Sequence, residues 1–385
     1  MSALFAAFRD RAFRHAAAVL VGTMVGVGIF GIPYAFARSG FLIGTAWLVG
    51  IAAVSALFGL MFTELMLRTP GEHRQLAGYA EFWLGAWGRR LITFCNVLGI
   101  YGALLAYTIV IGPYLHNVLS QFFAIDPQFY SILFTMAAAP VILFRLRTVA
   151  AVETALTVLF VLIMLFIAVA GAPHISAENY LSVNHASWFL PYGVLLFAFA
   201  GMTSMPIMRR LLSGREAQVG PAVLWAVGVV AVLYLAFAAV VVGISGPVTS
   251  PDALSGLFEF VGLPIVIVGS LLGILTIATS YIMLGTAMME IFNLDYRFRL
   301  PSSWLLSVVP PFLLFFSGLR NFIDVIATVG AVAIGLQSVV FIRAYLLSRR
   351  SAGREPELVL GIPAAVWYVL MAAFAAGVGY ALIWH

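Results

Sequence analysis

Long apolar blocks divided by short polar joints make up nearly all of this chain. A helix needs roughly 20 predominantly apolar residues to cross the hydrocarbon core of a bilayer. Eleven blocks fit, at about 14–36, 41–67, 90–119, 129–145, 148–170, 188–210, 219–243, 264–291, 302–318, 322–345 and 361–384. The pattern predicts an all-α integral membrane protein with eleven transmembrane helices, a single polytopic unit over residues 1–385. Two joints assigned to the outer side are long, Gly171–Ser187 and Ile244–Pro264, and Leu254–Phe260 predicts a short helix over an outer vestibule. The joint Thr69–Arg90 mixes aromatic, apolar and charged residues, which predicts an interfacial amphipathic helix on the cytoplasmic face.

One block contains a stretch unsuited to continuous helix. Gly22-Thr-Met-Val-Gly-Val-Gly-Ile-Phe-Gly-Ile-Pro33 places four glycines and a proline in twelve residues. Non-helical backbone at membrane depth persists only where it is buried in protein or lines a cavity. Gly201-Met-Thr-Ser-Met-Pro206 repeats the glycine-to-proline spacing of Gly28-Ile-Phe-Gly-Ile-Pro33, at a similar depth in the sixth block. Interrupted helices at matching positions of two halves point to a transporter site at the midplane. Gly22 and Gly26 also form a small-residue pair that packs helices together, a reading that needs no ligand. Blocks one to five and six to ten form two equal sets. Five is odd, so the second set runs inverted: a 5+5 inverted repeat over 14–170 and 188–345, with 361–384 as one extra C-terminal helix.

Composition narrows the class further. At 63% hydrophobic and 9% charged residues, with a mean hydropathy of +1.08, no soluble domain is expected. The single cysteine, Cys95, excludes a disulfide framework within the chain. Arg9, Arg11 and Arg14 before apolar sequence imitate a signal peptide, but no small-residue cleavage site follows, so the segment is expected to be retained as a span. All twenty basic residues are arginine. With the N-terminus cytoplasmic, eighteen fall inside and only Arg38 and Arg320 outside, leaving the C-terminus outside. The net charge of +5 is therefore a topology signal, and no nucleic acid partner is expected. The six histidines show no metal-ligand spacing.

Residues Gly22–Gly40 resemble the first span of the amino acid–polyamine–organocation superfamily. The similarity is greatest to the branch of amino acid/auxin permeases and bacterial aromatic amino acid permeases. Phe197-Ala-Phe-Ala-Gly-Met-Thr-Ser-Met-Pro206 resembles that superfamily's sixth span, and Ala278-Thr-Ser-Tyr-Ile-Met-Leu-Gly285 its eighth. The resemblance implies a leucine-transporter-like fold with alternating access in a bacterial inner membrane. Backbone N–H groups of Val27, Gly28 and Ile29, beside Gly26, would hold a substrate carboxylate. Carbonyls around Thr23 and Met24, and around Phe197, Ala198 and Ala200 at the Gly201 break, would take the ammonium. Phe30, Phe197 and Tyr107 would be gates or pocket walls. The physical logic is consistent, since a half-helix N-terminus attracts an anion and freed carbonyls suit a cation.

For coupling, two ions stay open. In sodium-dependent relatives, hydroxyls matching Thr279 and Ser280 complete a site with carbonyls matching Gly22 and Val25. Thr276, Thr279 and Ser280 are equally explained as hydroxyls bonded back to their own helix. A second sodium site is not expected, because Ile29 stands where relatives have asparagine. Carboxylates inside spans are rare and costly, so Glu64 and Glu153 are the proton candidates. Glu64 matches a carboxylate that braces the unwound backbone in the fold. The alternative for Glu64 is pairing with Arg68.

With no ionisable side chain other than tyrosine in the middle of the candidate spans, a charged substrate would lack a counter-charge. The expected activity is import of a neutral, large apolar or aromatic L-amino acid, by proton or sodium symport or by exchange. An intramembrane enzyme would need clustered catalytic side chains and a channel a polar filter, and the spans offer neither. No cofactor beyond a bound sodium ion and no obligate protein partner are expected; the substrate and the lipid bilayer are the partners.

Overall fold

A computed structural model describes residues 10–71, 74–123, 125–144, 149–350 and 354–384, and helix covers each of the eleven apolar blocks. Among the described residues there is no strand. The first block is two helices, α1 (Arg11–Met24) and α2 (Gly28–Ser39), which meet at a 57° bend. Asp10 caps α1 by accepting the Ala12 N–H at 3.0 Å. The turn into α3 (Phe41–Arg68) needs Gly40. Its φ is 100°, and a Cβ there would lie 2.4 Å from the Ser182 carbonyl oxygen.

α4 covers Leu76–Leu119, leaving helical geometry once, at Gly85 with φ 70° and ψ −162°. The piece before Gly85 is the helix expected in the joint Thr69–Arg90. It exposes Phe82, with Trp87 exposed just beyond the bend, and stacks the Arg74 guanidinium 5.0 Å from the Phe82 ring centre. α5 (Pro127–Ile142) and α6 (Val149–Gly171) follow. The sixth block is again two helices, α7 (Leu190–Ala198) and α8 (Met205–Leu211), joined through a 3₁₀ turn at Met202–Ser204. Then come α9 (Val219–Ser245), α10 (Leu263–Glu290) and α11 (Leu300–Phe316). In the tenth block a π-helical turn, Gly330–Ile334, joins α12 (Phe322–Val329) to α13 (Gly335–Ser348), and α14 (Ala364–Trp384) ends the chain.

Among the described residues seven helices, taken with their bridging turns, are long and apolar enough to cross a membrane, and the bent α1/α2 pair makes an eighth. α5, α11 and the described end of α6 are shorter apolar helices. The short helix expected between α9 and α10 is present as Ser255–Leu257 and Phe258–Val261. The Tyr114 hydroxyl of α4 donates to the Asp252 carbonyl at 2.8 Å and ties this segment down.

Packing sets the positions of the two broken helices. α9 runs along α3, α1 and α2, while α7 packs on α2 and α12, and α8 on α1. A Cβ on Gly193 would fall 2.1 Å from the Ala327 carbonyl oxygen, and one on Gly330 2.0 Å from that of Gly193. Those two glycines let α7 and the π turn meet backbone to backbone, the close approach that small residues permit in lipid. At the arginine-rich end, Arg215 pairs with Asp10 and links the loop after α8 to the start of α1. That guanidinium's hydrogen bond holds the half-buried Asp10 carboxyl below the usual carboxylate range.

Candidate substrate site at the two helix breaks

Break one begins where α1 ends at Met24. Val25 leaves helical geometry (φ −76°, ψ 77°), and the Gly26 N–H folds back to donate to the Met24 carbonyl at 2.8 Å. α2 restarts at Gly28. Among the described residues the N–H groups of Val27 and Gly28 have no backbone acceptor, as expected of a helix N-terminus. The Ile29 N–H differs from the expectation because it already donates to the Gly26 carbonyl at 3.3 Å. The anion-binding edge therefore comes down to Val27 and Gly28, at the positive end of the α2 dipole.

Break two begins where α7 ends at Ala198. The Ala200 N–H donates to the Phe197 carbonyl at 3.2 Å, and Gly201 sits at φ −126°, ψ 2° before the 3₁₀ turn. The Ser204 backbone N–H and hydroxyl both turn back to the Gly201 carbonyl, at 3.2 and 2.8 Å. Pro206 then lies in the first turn of α8, at a position whose N–H has no helical partner to lose.

The two breaks touch. A Cβ on Gly28 would lie 2.9 Å from the Ala198 Cα and 3.0 Å from Cδ1 of Phe197. One on Gly201 would lie 2.6 Å from Leu20 Cδ1 and 2.8 Å from Met24 Cε. Tyr107 of α4 belongs to the same neighbourhood, its hydroxyl 3.6 Å from the Cβ position of Gly26. Phe30 is buried, with its ring edge-on to Tyr114 at 5.4 Å and to Phe237 at 6.2 Å. Thr23, by contrast, bonds its hydroxyl back to the Val19 carbonyl at 2.8 Å. A cavity of about 80 Å³ lies against break two, lined by Leu20, Met24, Phe199, Gly201, Thr203 and Gln337 among others.

One residue joins the breaks and was missed from the sequence. The hydroxyl of Tyr234 on α9 reaches the Met24 carbonyl at 2.7 Å and the Ala198 carbonyl at 2.8 Å. These are the last carbonyls of α1 and α7, where two helix dipoles present their negative ends. The signal available was slight: Tyr234 is the only side chain with a hydrogen-bonding group between Trp225 and Ser245. Arg209 was likewise read only as one of the arginines marking the inner side. It is buried, 5% exposed, and donates to the Met66 carbonyl at 2.6 Å and the Tyr79 hydroxyl at 3.0 Å. It thereby binds α8 to the end of α3 and to α4.

Glu64 is not placed as the resemblance implied. One of its oxygens pairs with Arg68 at 2.8 Å; the other accepts the Tyr345 hydroxyl and the Leu360 N–H, each at 2.8 Å. Its partners lie on α3, α13 and the segment before α14, whereas the Tyr234 hydroxyl bonds the backbone of both breaks. The physical reason is position: Glu64 sits one turn from the end of α3, next to the arginine that neutralises it.

Among the described residues no hydrogen bond runs from the Thr279 hydroxyl of α10 to either break. Thr279 donates back to the Leu275 and Thr276 carbonyls, at 3.1 and 3.0 Å. Among the described residues the Thr276 hydroxyl is buried without a partner. α10 packs chiefly on α4, with α5, α6 and α11 around it, and α1, which carries Gly22, is not among these principal neighbours. Glu153 lies on α6, and its side chain falls outside the described residues.

Comparison with known proteins follows the same lines. Residues 10–379 match the model of the tryptophan/tyrosine permease family. Tyrosine-specific transport system 1 of Haemophilus influenzae is 26% identical over 200 residues, which is 51% of this chain and 49% of that protein. The chain thus spans about half the length of the curated relative it matches. Two solved structures share the fold at 14% identity each. One is the crystal structure of MhsT in complex with L-phenylalanine, with a TM-score of 0.60, covering 97% of this chain and 98% of that one. The other is MHP1, a nucleobase-cation-symport-1 family transporter in a closed conformation with bromovinylhydantoin bound; its TM-score is 0.66, covering 96% and 90%. The architecture is that of the leucine-transporter fold, and over nearly its whole length the chain belongs to the tryptophan/tyrosine permease family.

Proposed function

We propose that this chain is a secondary active transporter, not an enzyme, which imports a neutral aromatic or large apolar L-amino acid by proton symport with alternating access. The observation that carries this is the apposition of the two breaks. Unpaired N–H groups at Val27 and Gly28 suit an anion, while the last carbonyls of α1 and α7 converge on one point. A zwitterion matches both sets at once, without any charged side chain. The family and the tyrosine specificity named for its Haemophilus relative support an aromatic substrate. Aromatic residues at the breaks, Phe30, Phe197 and Tyr107, supply apolar surface for a ring.

The proton is favoured over sodium because Thr279 is already bonded within its own helix and α10 does not pack principally on α1. Glu64 has both oxygens occupied, which leaves Glu153 as the proton carrier; its helix, α6, packs against both α1 and α10. Sodium symport is the second reading, favoured by one feature, the buried unpartnered hydroxyl of Thr276. The inverted arrangement of 14–170 against 188–345, with the N-terminus cytoplasmic and the C-terminus outside, belongs to the same proposal.

The test is uptake of radiolabelled L-tyrosine into proteoliposomes, with proton and sodium gradients imposed separately. Saturable accumulation driven by an inward proton gradient is expected, with tryptophan and leucine competing and arginine and aspartate not. Competition by arginine or aspartate equal to that of tryptophan refutes the neutral-substrate reading. Uptake indifferent to pH that collapses when choline replaces sodium transfers the assignment to sodium.

A further inference from the structure

Tyr234 stands in an otherwise aliphatic stretch of α9, with its ring fully buried and edge-on to Phe199 at 5.1 Å. Its hydroxyl lies within hydrogen-bonding distance of two carbonyls that end two different helices. A phenol carries one proton, so the two acceptors share it. Without that proton, two partially negative helix ends would face each other with no donor between them, the Ala198 carbonyl losing its partner and the Met24 carbonyl keeping only the local Gly26 N–H. Among the described residues neither carbonyl accepts another bond from outside its own turn, and Met24 accepts only the local Gly26 N–H besides. The tie therefore acts between the breaks, and not within either helix.

We propose that Tyr234 is a positioning residue that locks α1 and α7 to each other and aims their terminal carbonyls at the ammonium group of the substrate. The assignment rests on the transport reading above, since it presumes a zwitterion bound at the breaks. Loss of the shared proton lets the two helix ends shift relative to one another. The pre-arranged ammonium site is then lost while each helix stays folded, so affinity falls and the translocation step is spared.

The test uses the full-length carrier in detergent and measures L-tyrosine binding directly, with exchange in proteoliposomes alongside. Tyr234→Phe keeps the ring and its contact with Phe199 and removes only the proton. Its Kd for L-tyrosine is expected to rise about tenfold, the worth of one hydrogen bond, with the exchange rate at saturating tyrosine within about twofold of parental. p-Aminophenylalanine at position 234 offers two N–H donors on the same ring, one for each carbonyl, and is expected to bind with parental affinity. Should Tyr234→Phe not fold, that amino variant alone decides: parental Kd supports the tie, and a tenfold weaker Kd overturns it. Parental Kd in a folded Tyr234→Phe protein overturns the proposal, as does a fall in binding capacity with no change in Kd. Parental protein that binds no amino acid overturns the transport reading itself, before any variant is compared.

Discussion

Gly28→Ala is the sharpest perturbation of the two-break site, because the structure says what the added methyl meets. Its Cβ would stand 2.9 Å from the Ala198 Cα, 3.0 Å from Phe197 Cδ1 and 3.2 Å from the Ala198 Cβ. Carbon pairs rest at about 3.5–4.0 Å, so the breaks must part by roughly 0.5–1 Å. The nearest atom is backbone, which cannot swing aside like the tip of a side chain. Overpacking of this kind costs about 1–3 kcal/mol, and separation of the breaks also pulls the α2 N-terminus away from the α7 carbonyls. Tyrosine affinity is expected to fall roughly five- to hundredfold, since about 1.4 kcal/mol is tenfold. Gly28→Val, with a branch at Cβ, is expected to fall further. Gly22→Ala is the control: nothing lies within 4 Å of its Cβ position. Alanine there should be neutral or stabilise α1 by up to about 1 kcal/mol. Binding of radiolabelled tyrosine to purified protein reads both. Parental affinity in Gly28→Ala, or equal loss in Gly22→Ala, refutes the reasoning.

Other substitutions separate the remaining roles. Glu64→Gln weakens a buried pair with Arg68 and is expected to lower stability by about 3 kcal/mol in denaturation while folded carriers still accumulate tyrosine. Retained exchange with lost accumulation would instead make Glu64 the coupling group. Thr279→Val combined with Ser280→Ala should leave proton-driven uptake within about threefold of parental; its abolition would show that those hydroxyls hold a coupling ion. Asp10 has a carboxyl held below its ordinary value by the Arg215 guanidinium, so its link to Arg215 is present at neutral pH and is lost only as pH falls through that lowered value. Asp10→Asn should therefore leave the shape of the pH profile of uptake between about 5 and 8 unchanged. A shifted profile would implicate Asp10 in coupling.

What could be read in advance divides along a physical line. Helix positions follow from hydrophobic blocks, because lipid tolerates little else. The breaks at Gly26 and Gly201 follow from glycine and proline, which weaken helix through properties of the single residue. Partners in space do not follow in this way. Glu64 in an apolar block announces that it needs a donor, but not that Tyr345 and the Leu360 N–H, far along the chain, supply two. A lone tyrosine in α9 resembles any packing residue until α1 and α7 bring their last carbonyls to it. Gly85 in the joint Thr69–Arg90 likewise gave no sign that the interfacial helix continues, with one bend, into the membrane helix.

The most direct test of the site is a structure of the carrier with L-tyrosine bound. Density for the amino acid is expected between the breaks, with its carboxylate on the N–H groups of Val27 and Gly28 and its ammonium toward the carbonyls of Met24 and Ala198. Tyrosine density elsewhere, with both breaks unoccupied, would contradict the assignment.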